Sequence, residues 1–172
     1  DVVSALQRAE MVRRIAEEVE GYVVELGLDG RLVELQLEEL TGGVDEDRRL
    51  VCKDYVTDPD DAVVAVAVTR LAELDDDDLL DLRRLTGILR LPTDVDLDAP
   101  LQPRGHRLLR RIPRLPETVA EQVVERFGRL PTIMRASLGD LVEVEGVGEV
   151  RARAIKDGLQ RVAETSILDR FA

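Results

Sequence analysis

A chain of 172 residues that is 44% hydrophobic has enough apolar material for one domain of ordinary size or two small ones. Aromatic residues make up only 2% and tryptophan is absent, so the core must be built from Leu, Val, Ile and Ala, which argues against a β-sandwich and favours an all-α fold. The formal net charge of −12, taken over the whole chain, argues against nucleic acid as a partner.

The charge is divided unevenly along the chain. Residues 1–100 carry 11 Lys and Arg against 26 Asp and Glu, a net charge of −15, whereas residues 101–172 carry 13 against 10, a net charge of +3. Prolines at positions 92, 100 and 103 interrupt the helical pattern between the two halves and are typical of a linker. We therefore predict a helical linker (spine) domain at residues 1–98 and a second domain, with different partners, at residues 104–172.

The single cysteine and the start of the chain bear on the cellular compartment. Cys52 cannot form an internal disulfide and lies beside Val51 in a hydrophobic stretch, so we expect a small buried residue and a reducing, cytoplasmic location. No run of 18 apolar residues is present, so no membrane partner is expected. The first residues show neither an initiator Met nor a signal-peptide pattern, and we expect a piece of a longer protein.

Apolar residues of the first segment recur in steps of three and four, which predicts a long amphipathic helix over residues 2–26. Breaks at Asp29-Gly30 and Gly42-Gly43 predict a short helix at residues 31–40 and a third at residues 45–56. The apolar stripe of the first helix consists of Val2, Leu6, Ala9, Val12, Ile15, Val19, Tyr22 or Val23, and Leu26.

The segment after the third helix is open to two interpretations. Asp58 can cap a helix there, with Pro59 at its first position. Residues 60–74, "DDAVVAVAVTRLAEL", are rich in β-branched residues and compatible with a strand. Polar residues interrupt the apolar pattern at Thr69, Arg70 and Glu73, which favours a buried helix.

Four aspartates at residues 75–78 precede a leucine-rich segment at residues 79–89. A metal site is one interpretation of such an acidic run. The other is a helix N-cap with further carboxylates favoured by the helix dipole and by solvent. We prefer the second, because no glycine-turned loop with alternating ligands accompanies the run.

The second domain contains an internal repeat with a shift of 32 residues. Residues 112–127 align with residues 144–159, and the matched positions are apolar or small, as expected of two copies of one helix-turn-helix unit that share a core. Ser137 and Asp140, before the second copy, have the spacing of a capping box. The matched pairs are Ile112 with Val144, Leu115 with Val147, Ala120 with Ala152, Val123 with Ile155, and Phe127 with Leu159.

The turn of the second copy, Gly146-Val147-Gly148, has the composition of a phosphate site. Both glycines lack a Cβ, so the backbone can adopt left-handed angles and approach a ligand, while Val147 can enter the core. The next helix starts here with unsatisfied N–H groups and the positive end of its dipole. Basic residues in its first turns can add charge, and helical spacing lets two of the three face one contact. They are Arg151, Arg153 and Lys156.

The matching turn of the first copy, Arg114-Leu115-Pro116, is a weaker backbone cradle, because proline at the first helical position removes one N–H. Charge is the expected compensation, since arginine pairs bidentately with phosphate and residues 104–114 contain no acid. A solvated arginine face is the alternative. His106, the only histidine, is expected to be a surface polar residue rather than a catalytic base or ligand. The arginines of this stretch are Arg104, Arg107, Arg110, Arg111 and Arg114.

These residues resemble the helix-hairpin-helix motif, and the pair resembles the tandem helix-hairpin-helix domain of bacterial Holliday-junction-binding and nucleotide-excision proteins, such as the second domain of RuvA. The resemblance implies binding to DNA backbone phosphates through hairpin amides, without reading of sequence. It assigns contacts to Gly146, Val147 and Gly148 by backbone and to Arg151 and Lys156 by side chain. The candidate DNA-binding set also includes Arg153, Arg110, Arg111 and Arg114.

A wider resemblance covers residues 6–43 and 105–171, which are similar to the helical linker and C-terminal helix-hairpin-helix domain of the DisA family of bacterial diadenylate cyclases. It implies a homo-oligomer whose cyclase domain, missing from this chain, joins two ATP into cyclic di-AMP with a divalent metal. The family's cyclase signatures, Asp-Gly-Ala and Arg-His-Arg, are matched only in part, by Asp29-Gly30-Arg31 and Gly105-His106-Arg107. We therefore expect neither cyclase activity nor a cofactor in this chain.

The predicted function is regulatory DNA binding. The second domain would grip backbone phosphates of branched or damaged DNA without sequence specificity, near the nucleoid, and couple this contact to control of the missing cyclase. The acidic spine would repel DNA and leave binding to the second domain. The alternative is a protein–protein docking module of a DNA repair complex. A catalytic role is disfavoured, because the sequence offers no nucleophile–base pair and no metal-ligand spacing.

Overall fold

The computed structural model describes residues 2–25, 30–92, 94, 96 and 100–168. The regular elements in this part of the chain are all helices, which confirms the predicted all-α class. Contacts between residues divide the chain into two compact units, Asp1–Pro100 and Leu101–Ala172, and each has its own hydrophobic core. We call the first the spine unit and the second the hairpin unit.

The spine unit contains six helices among its described residues. They are α1 (Val2–Glu25), α2 (Gly30–Thr41), α3 (Val44–Tyr55), α4 (Asp61–Glu73), α5 (Asp76–Leu80) and α6 (Leu82–Ile88). Helix α1 packs against α2, α3 and α6, and α3 also packs against α4. The buried apolar residues of this core are Val3, Leu6, Val51, Cys52, Val56, Val64, Ala67, Leu71, Leu79, Leu85, Ile88 and Leu89.

The bounds of the first three helices of the spine unit follow the sequence pattern, but the predicted apolar stripe of α1 is only partly buried, since Val12 is 42% and Ile15 is 57% exposed. The three predicted helices correspond to α1, α2 and α3, and Gly43 separates α2 from α3 with a left-handed φ of 88°. Leu26 and Asp29, near the first predicted break, lie outside the described residues. Part of the predicted linker, at positions 93, 95 and 97–99, also lies outside them.

Helix α4 starts later than predicted. Its N-cap is Asp60, whose Oδ1 accepts a 2.8 Å hydrogen bond from the amide of Val63. The expected cap at Asp58 and the expected first helical position of Pro59 are therefore wrong. Asp58 instead has a left-handed φ of 55°, so both residues belong to the turn that precedes the cap.

The segment from residue 61 to residue 73 is a helix, as the polar residues in its pattern indicated, but it is not buried on every side. Val64, Ala67 and Leu71 are buried at intervals of three and four residues, whereas Val66 is 43% exposed. The β-branched residues are accommodated because burial of one face stabilises a helix more than their slight preference for strands opposes it.

The acidic run supplies helix caps, as the preferred interpretation predicted. Asp75 caps α5 by accepting a 2.7 Å bond from the amide of Asp78, and Asp81 caps α6 by accepting a 2.9 Å bond from the amide of Arg83. The carboxylates between these caps lie in the first turn of α5, where the helix dipole favours negative charge. Within the described residues, no group of His, Cys, Asp and Glu is arranged to hold a metal ion.

A buried ion cluster joins α1 to α3. Glu10 is fully buried, and its carboxylate accepts hydrogen bonds from Arg13 and Arg14 on α1. It also pairs with Arg48 on α3, which is only 3% exposed and reaches Asp45 at 2.8 Å. Because a buried charge without a counter-charge is costly, this pairing ties the two helices to one register.

Cys52 is a buried core residue, as expected. Its exposed fraction is zero, and burial raises the pKa of its thiol to about 11, although the nearby charge of Arg48 acts in the opposite direction. The thiol is therefore protonated at neutral pH and contributes to the core as a small apolar side chain.

The hairpin unit contains five helices among its described residues. They are α7 (His106–Arg110), α8 (Glu117–Phe127), α9 (Leu130–Arg135), α10 (Leu138–Val142) and α11 (Glu149–Leu168). The predicted shared core of the repeat is confirmed: nine of the ten matched residues are buried in one cluster, and Phe127 packs against it while partly buried. The two copies therefore fold around a common core.

Local contacts hold the two copies in place. The capping box is confirmed, since Ser137 Oγ accepts from the amide of Asp140 at 3.1 Å and the Asp140 carboxylate accepts from the amide of Ser137 at 2.8 Å. Hydrogen bonds from the side chain and the amide of Ser137 lower the pKa of Asp140. Arg126, in the last turn of α8, pairs with Glu143, just after α10, at 2.7 Å.

Gly158 marks a close contact between α11 and the first copy, because a Cβ at this position would lie 2.8 Å from Cγ1 of the buried Ile112. We expect Gly158→Ala to lower the free energy of unfolding of the hairpin unit by about 1–2 kcal/mol, since overpacking exceeds the gain in helix propensity. Thermal unfolding followed by far-UV circular dichroism measures this. Gly139→Ala on α10 is the control, because its Cβ would meet only Ser137 Oγ, at 3.6 Å; equal losses in both variants would contradict the packing argument.

Candidate nucleic-acid interface

The turn before α11 places its backbone at the surface and one side chain in the core. Gly146 and Gly148 are exposed, whereas Val147 between them is only 4% exposed, so the predicted insertion of Val147 into the core is confirmed. The amide of Val147 donates to the carbonyl of Val144 at 3.0 Å. The amide of Val147 therefore already has an acceptor next to the turn.

The two glycines of this turn have different roles. Gly146 has a left-handed φ of 75°, and a Cβ on it would lie 3.2 Å from Cγ2 of Val119 on α8. Gly148 has no left-handed φ, and a Cβ there would meet nothing within 4 Å. The expectation that both glycines provide left-handed angles is therefore wrong. The turn needs a glycine at position 146, whereas the glycine at position 148 leaves open space beside the start of α11.

The start of α11 presents a set of backbone amides. The first hydrogen bond of this helix runs from the amide of Ala152 to the carbonyl of Gly148, at 2.9 Å. The amides of residues 148–151 therefore precede the first amide that has an intrahelical acceptor, and the positive end of the dipole of a 20-residue helix lies with them. Such an arrangement beside open space suits an oxyanion such as a phosphate.

Two of the three predicted basic residues of α11 make contacts around the turn itself. Arg151 donates from Nη1 to the carbonyl of Gly146 at 2.6 Å, which links the helix back to the turn. Arg153 pairs with Glu149, one helical turn earlier, at 3.3 Å. Both guanidinium groups are exposed, and these contacts orient them without burying them.

The third predicted basic residue, Lys156, joins α11 to α9. Its Nζ donates 2.8 Å hydrogen bonds to the carbonyls of Met134 and Ala136, at the C-terminal end of α9. The last carbonyls of a helix have no intrahelical N–H donor, and a cation near them also complements the negative end of the dipole. Lys156 therefore positions the two helices relative to each other within the hairpin unit.

The turn of the first copy has the same backbone shape as that of the second, despite its different sequence. Arg114 has a φ of 62°, the left-handed conformation that Gly146 has in the second copy. Leu115 is 7% exposed, and its amide donates to the carbonyl of Ile112 at 3.3 Å, as the matching valine does in the second turn. The fold therefore imposes this geometry on an arginine.

The first turn nevertheless offers fewer backbone amides than the second. Pro116 is the N-cap of α8, rather than its first helical residue as predicted, and it has no N–H. The amides of Val119 and Ala120 both donate to the carbonyl of Pro116, at 3.1 Å. Only the amides of residues 117 and 118 precede the first amide that donates to a carbonyl of this helix start, compared with four amides in the second copy.

The arginine-rich stretch before the first turn divides by exposure. Arg110, Arg111 and Arg114 are exposed, whereas Arg104 and Arg107 are half-buried. The expectation of a surface histidine is wrong, since His106 is only 8% exposed. It is the first residue of α7, a helix that packs against both α8 and α11 and so encloses this position.

Sequence reasoning missed two features close to the second turn. Val150, the second residue of α11, is 83% exposed although it is apolar. Glu143, three residues before Gly146, is paired with Arg126 from the first copy. The exposed valine could have been found from the helical period of α11, but the ion pair joins residues 17 positions apart and has no local signal in the sequence.

Comparison with known proteins covers both units. Residues 1–97 match the family model of the DisA bacterial checkpoint controller linker region, which is more than half of the chain. The chain belongs to the DisA family. Residues 107–168 match the model of the helix-hairpin-helix motif. A DisA-family linker region is therefore followed by a helix-hairpin-helix region, as the resemblance implied.

Relatives in the DisA family are similar over almost the whole chain. Proteins named DNA integrity scanning protein DisA from Kineococcus radiotolerans and Frankia alni are each 49% identical over 173 residues, which is 99% of this chain and 48% of the relative. The protein of that name from Streptomyces griseus is 49% identical over 177 residues, 99% of this chain and 47% of the relative. The chain thus spans about half the length of the curated relatives it matches. Among the described residues, no helix combines the length and hydrophobicity needed to cross a membrane.

Proposed function

We propose that the hairpin unit binds backbone phosphates of branched or damaged DNA without reading base sequence. This contact regulates the synthesis of cyclic di-AMP by a cyclase domain that lies outside these 172 residues. ATP and a divalent metal belong to that domain, and the present chain is regulatory rather than catalytic. The relatives' name, DNA integrity scanning protein, agrees with a protein that responds to DNA structure.

The observation that carries the proposal is the set of amides at the start of α11. Four amides precede the first one that has an intrahelical acceptor, and Gly148 leaves the space beside them open. Contacts made by backbone amides to phosphate oxygens fix position on DNA but carry no sequence information. The affinity of such a contact is therefore expected to depend on the shape of the DNA backbone rather than on the base sequence.

The charge distribution supports the same site. The spine unit, with a net charge of −15, repels a polyanion, whereas residues 101–172 have a net charge of +3. In the first copy, the exposed Arg110, Arg111 and Arg114 supply cations beside the turn. In the second copy, Arg151 and Lys156 hold the turn and the adjacent helix, so they contribute chiefly by shaping the site.

Binding of four-way junction, nicked and linear DNA tests the proposal. The fragment should bind the junction more tightly than linear duplex of the same length, and two junctions of unrelated sequence should bind equally. The logarithm of the association constant should fall linearly with the logarithm of the salt concentration, because phosphate contacts release counterions. A preference for one base sequence, or an affinity that does not change between low and high salt, would contradict phosphate binding.

Docking of a protein partner is the second candidate, because the hairpin unit exposes apolar side chains. Val150 is 83% exposed, and Met134, Leu138 and Val142 are between 40% and 44% exposed. Exposed apolar side chains that form a contiguous patch are typical of protein contact sites. A Gly148→Leu variant that remains folded and binds junction DNA as tightly as the unsubstituted chain would favour docking over DNA binding.

A further inference from the structure

The two turns of the hairpin unit share one backbone shape but differ in charge. When the two copies are aligned with a shift of 32 residues, no exposed arginine of the first copy is matched by a basic residue in the second. The matched pairs are Arg110 with Val142, Arg111 with Glu143, and Arg114 with Gly146. The first turn is therefore cationic, and the second is neutral or acidic at the same positions.

The cations of the first turn are available to a ligand. Arg111 and Arg114 are exposed, and the guanidinium group of neither residue forms a hydrogen bond or ion pair with another residue of the described ranges. No Asp or Glu occurs between residues 104 and 114. Two guanidinium groups three residues apart, with Glu117 as the nearest acid in the sequence, form a site that suits phosphate oxygens.

The cations of the second turn are instead engaged in the fold. Arg151 is bound to the carbonyl of Gly146, and Lys156 is bound to two carbonyls at the end of α9. Arg153 pairs with Glu149, and two further acids, Glu143 and Glu145, are exposed near the turn. The three acids Glu143, Glu145 and Glu149 equal these three basic residues in number, so long-range attraction of a polyanion is weaker at this turn than at the first, although its backbone amides outnumber those of the first.

We infer that the two hairpins contact DNA by different physical means. Arg111 and Arg114 of the first hairpin form the contact that releases counterions and therefore depends on salt. The amides of residues 148–151 form a directed contact at the second hairpin that depends little on salt. This inference rests on the proposed binding of DNA backbone phosphates. It adds that the first hairpin provides the salt-dependent part of that binding.

Salt dependence of junction binding separates the two contacts. The first variant is Arg111→Gln combined with Arg114→Gly, because glycine suits the left-handed φ of 62° at position 114 and keeps the turn. Removing two phosphate contacts should lower the magnitude of the slope of log K against log salt by about 1.8. The association constant of the unsubstituted chain divided by that of the variant should therefore be about tenfold smaller at roughly 200 mM salt than at roughly 50 mM.

Two further variants complete the design. Arg8→Gln combined with Arg70→Gln removes the same charge from exposed positions in the spine unit and should leave the slope unchanged. Gly148→Leu should lower the affinity by a similar factor at every salt concentration, without a change of slope. Thermal unfolding by circular dichroism confirms that each variant is folded.

The outcomes distinguish this inference from the function on which it rests. An unchanged slope in the Arg111→Gln/Arg114→Gly variant, or a slope change in Gly148→Leu as large as in that variant, would overturn the division between the hairpins while leaving DNA binding in place. A lack of junction binding by the unsubstituted chain at about 50 mM salt, within the range where phosphate contacts are strong, would overturn both.

Discussion

Replacing Gly148 by leucine is expected to lower the affinity of the chain for a four-way junction on the order of 10- to 100-fold, the equivalent of one lost charge-assisted hydrogen bond. The side chain would occupy the open space beside the amides of residues 148–151, where a Cβ meets nothing within 4 Å. For the same reason, the free energy of unfolding should change by less than about 0.5 kcal/mol. Fluorescence anisotropy with labelled junction DNA and thermal unfolding measure the two effects.

The matched control is Gly146→Leu, two residues away. A leucine there must adopt a φ of 75° and approach Val119, whose Cγ2 lies 3.2 Å from the Cβ position. The conformational cost alone is about 1–2 kcal/mol, so this variant should lose stability as well as affinity. If Gly148→Leu lost as much stability as Gly146→Leu, its effect on binding would no longer report on the amide site.

A second readout of the Gly148→Leu variant addresses regulation. In a full-length DisA-family protein that carries this C-terminal part, junction DNA should slow the synthesis of cyclic di-AMP. The Gly148→Leu substitution should remove this response to DNA and leave the rate without DNA unchanged. A rate that responds to junction DNA equally in both proteins would place the regulatory contact elsewhere.

Replacing Glu10 by alanine is expected to lower the free energy of unfolding of the spine unit by about 3–5 kcal/mol. The carboxylate of Glu10 is fully buried, and its loss leaves Arg48, which is 3% exposed, with only Asp45 as a charged partner at the surface. Urea unfolding followed by tyrosine fluorescence measures this unit selectively, because the chain has no tryptophan and its two tyrosines, Tyr22 and Tyr55, both belong to the spine unit.

Two control variants test whether unpaired buried charge is the cause. Glu17→Ala removes an exposed partner of Arg13 from the same helix and should cost less than about 1 kcal/mol. Glu10→Leu combined with Arg48→Met removes both buried charges and should recover most of the stability that Glu10→Ala loses. A double variant as unstable as Glu10→Ala would show that packing, rather than the unpaired charge, explains the loss.

Local patterns predicted the helices and their caps well, because these features depend on neighbours within a few residues. The extent of α1, the capping box of Ser137 and Asp140, and the capping role of the acidic run all follow from spacing alone. The cap of α4 was misplaced by two residues, since Asp58 and Asp60 are equally good caps by type and only the path of the turn around Pro59 selects between them.

The candidate site was predictable in outline and not in detail. The repeat located both turns, because matched apolar residues in two copies report a shared core. The different roles of Gly146 and Gly148 were not predictable, since they depend on the approach of Val119 from α8. The sequence likewise could not show that Lys156 binds the end of α9, because its acceptors are backbone carbonyls 20 and 22 residues away.

The sequence by itself determined the helical class, the repeat and the family resemblance, because periodicity, caps and recurring motifs are properties of residue order. Tertiary structure decided which cations remain available to a ligand and which conformation each turn adopts. Packing of the common core imposes a left-handed φ on Arg114 and encloses His106, and contacts with residues at least 17 positions away engage Lys156 and Glu143. These outcomes depend on residues far apart in the chain, which residue order alone does not bring together.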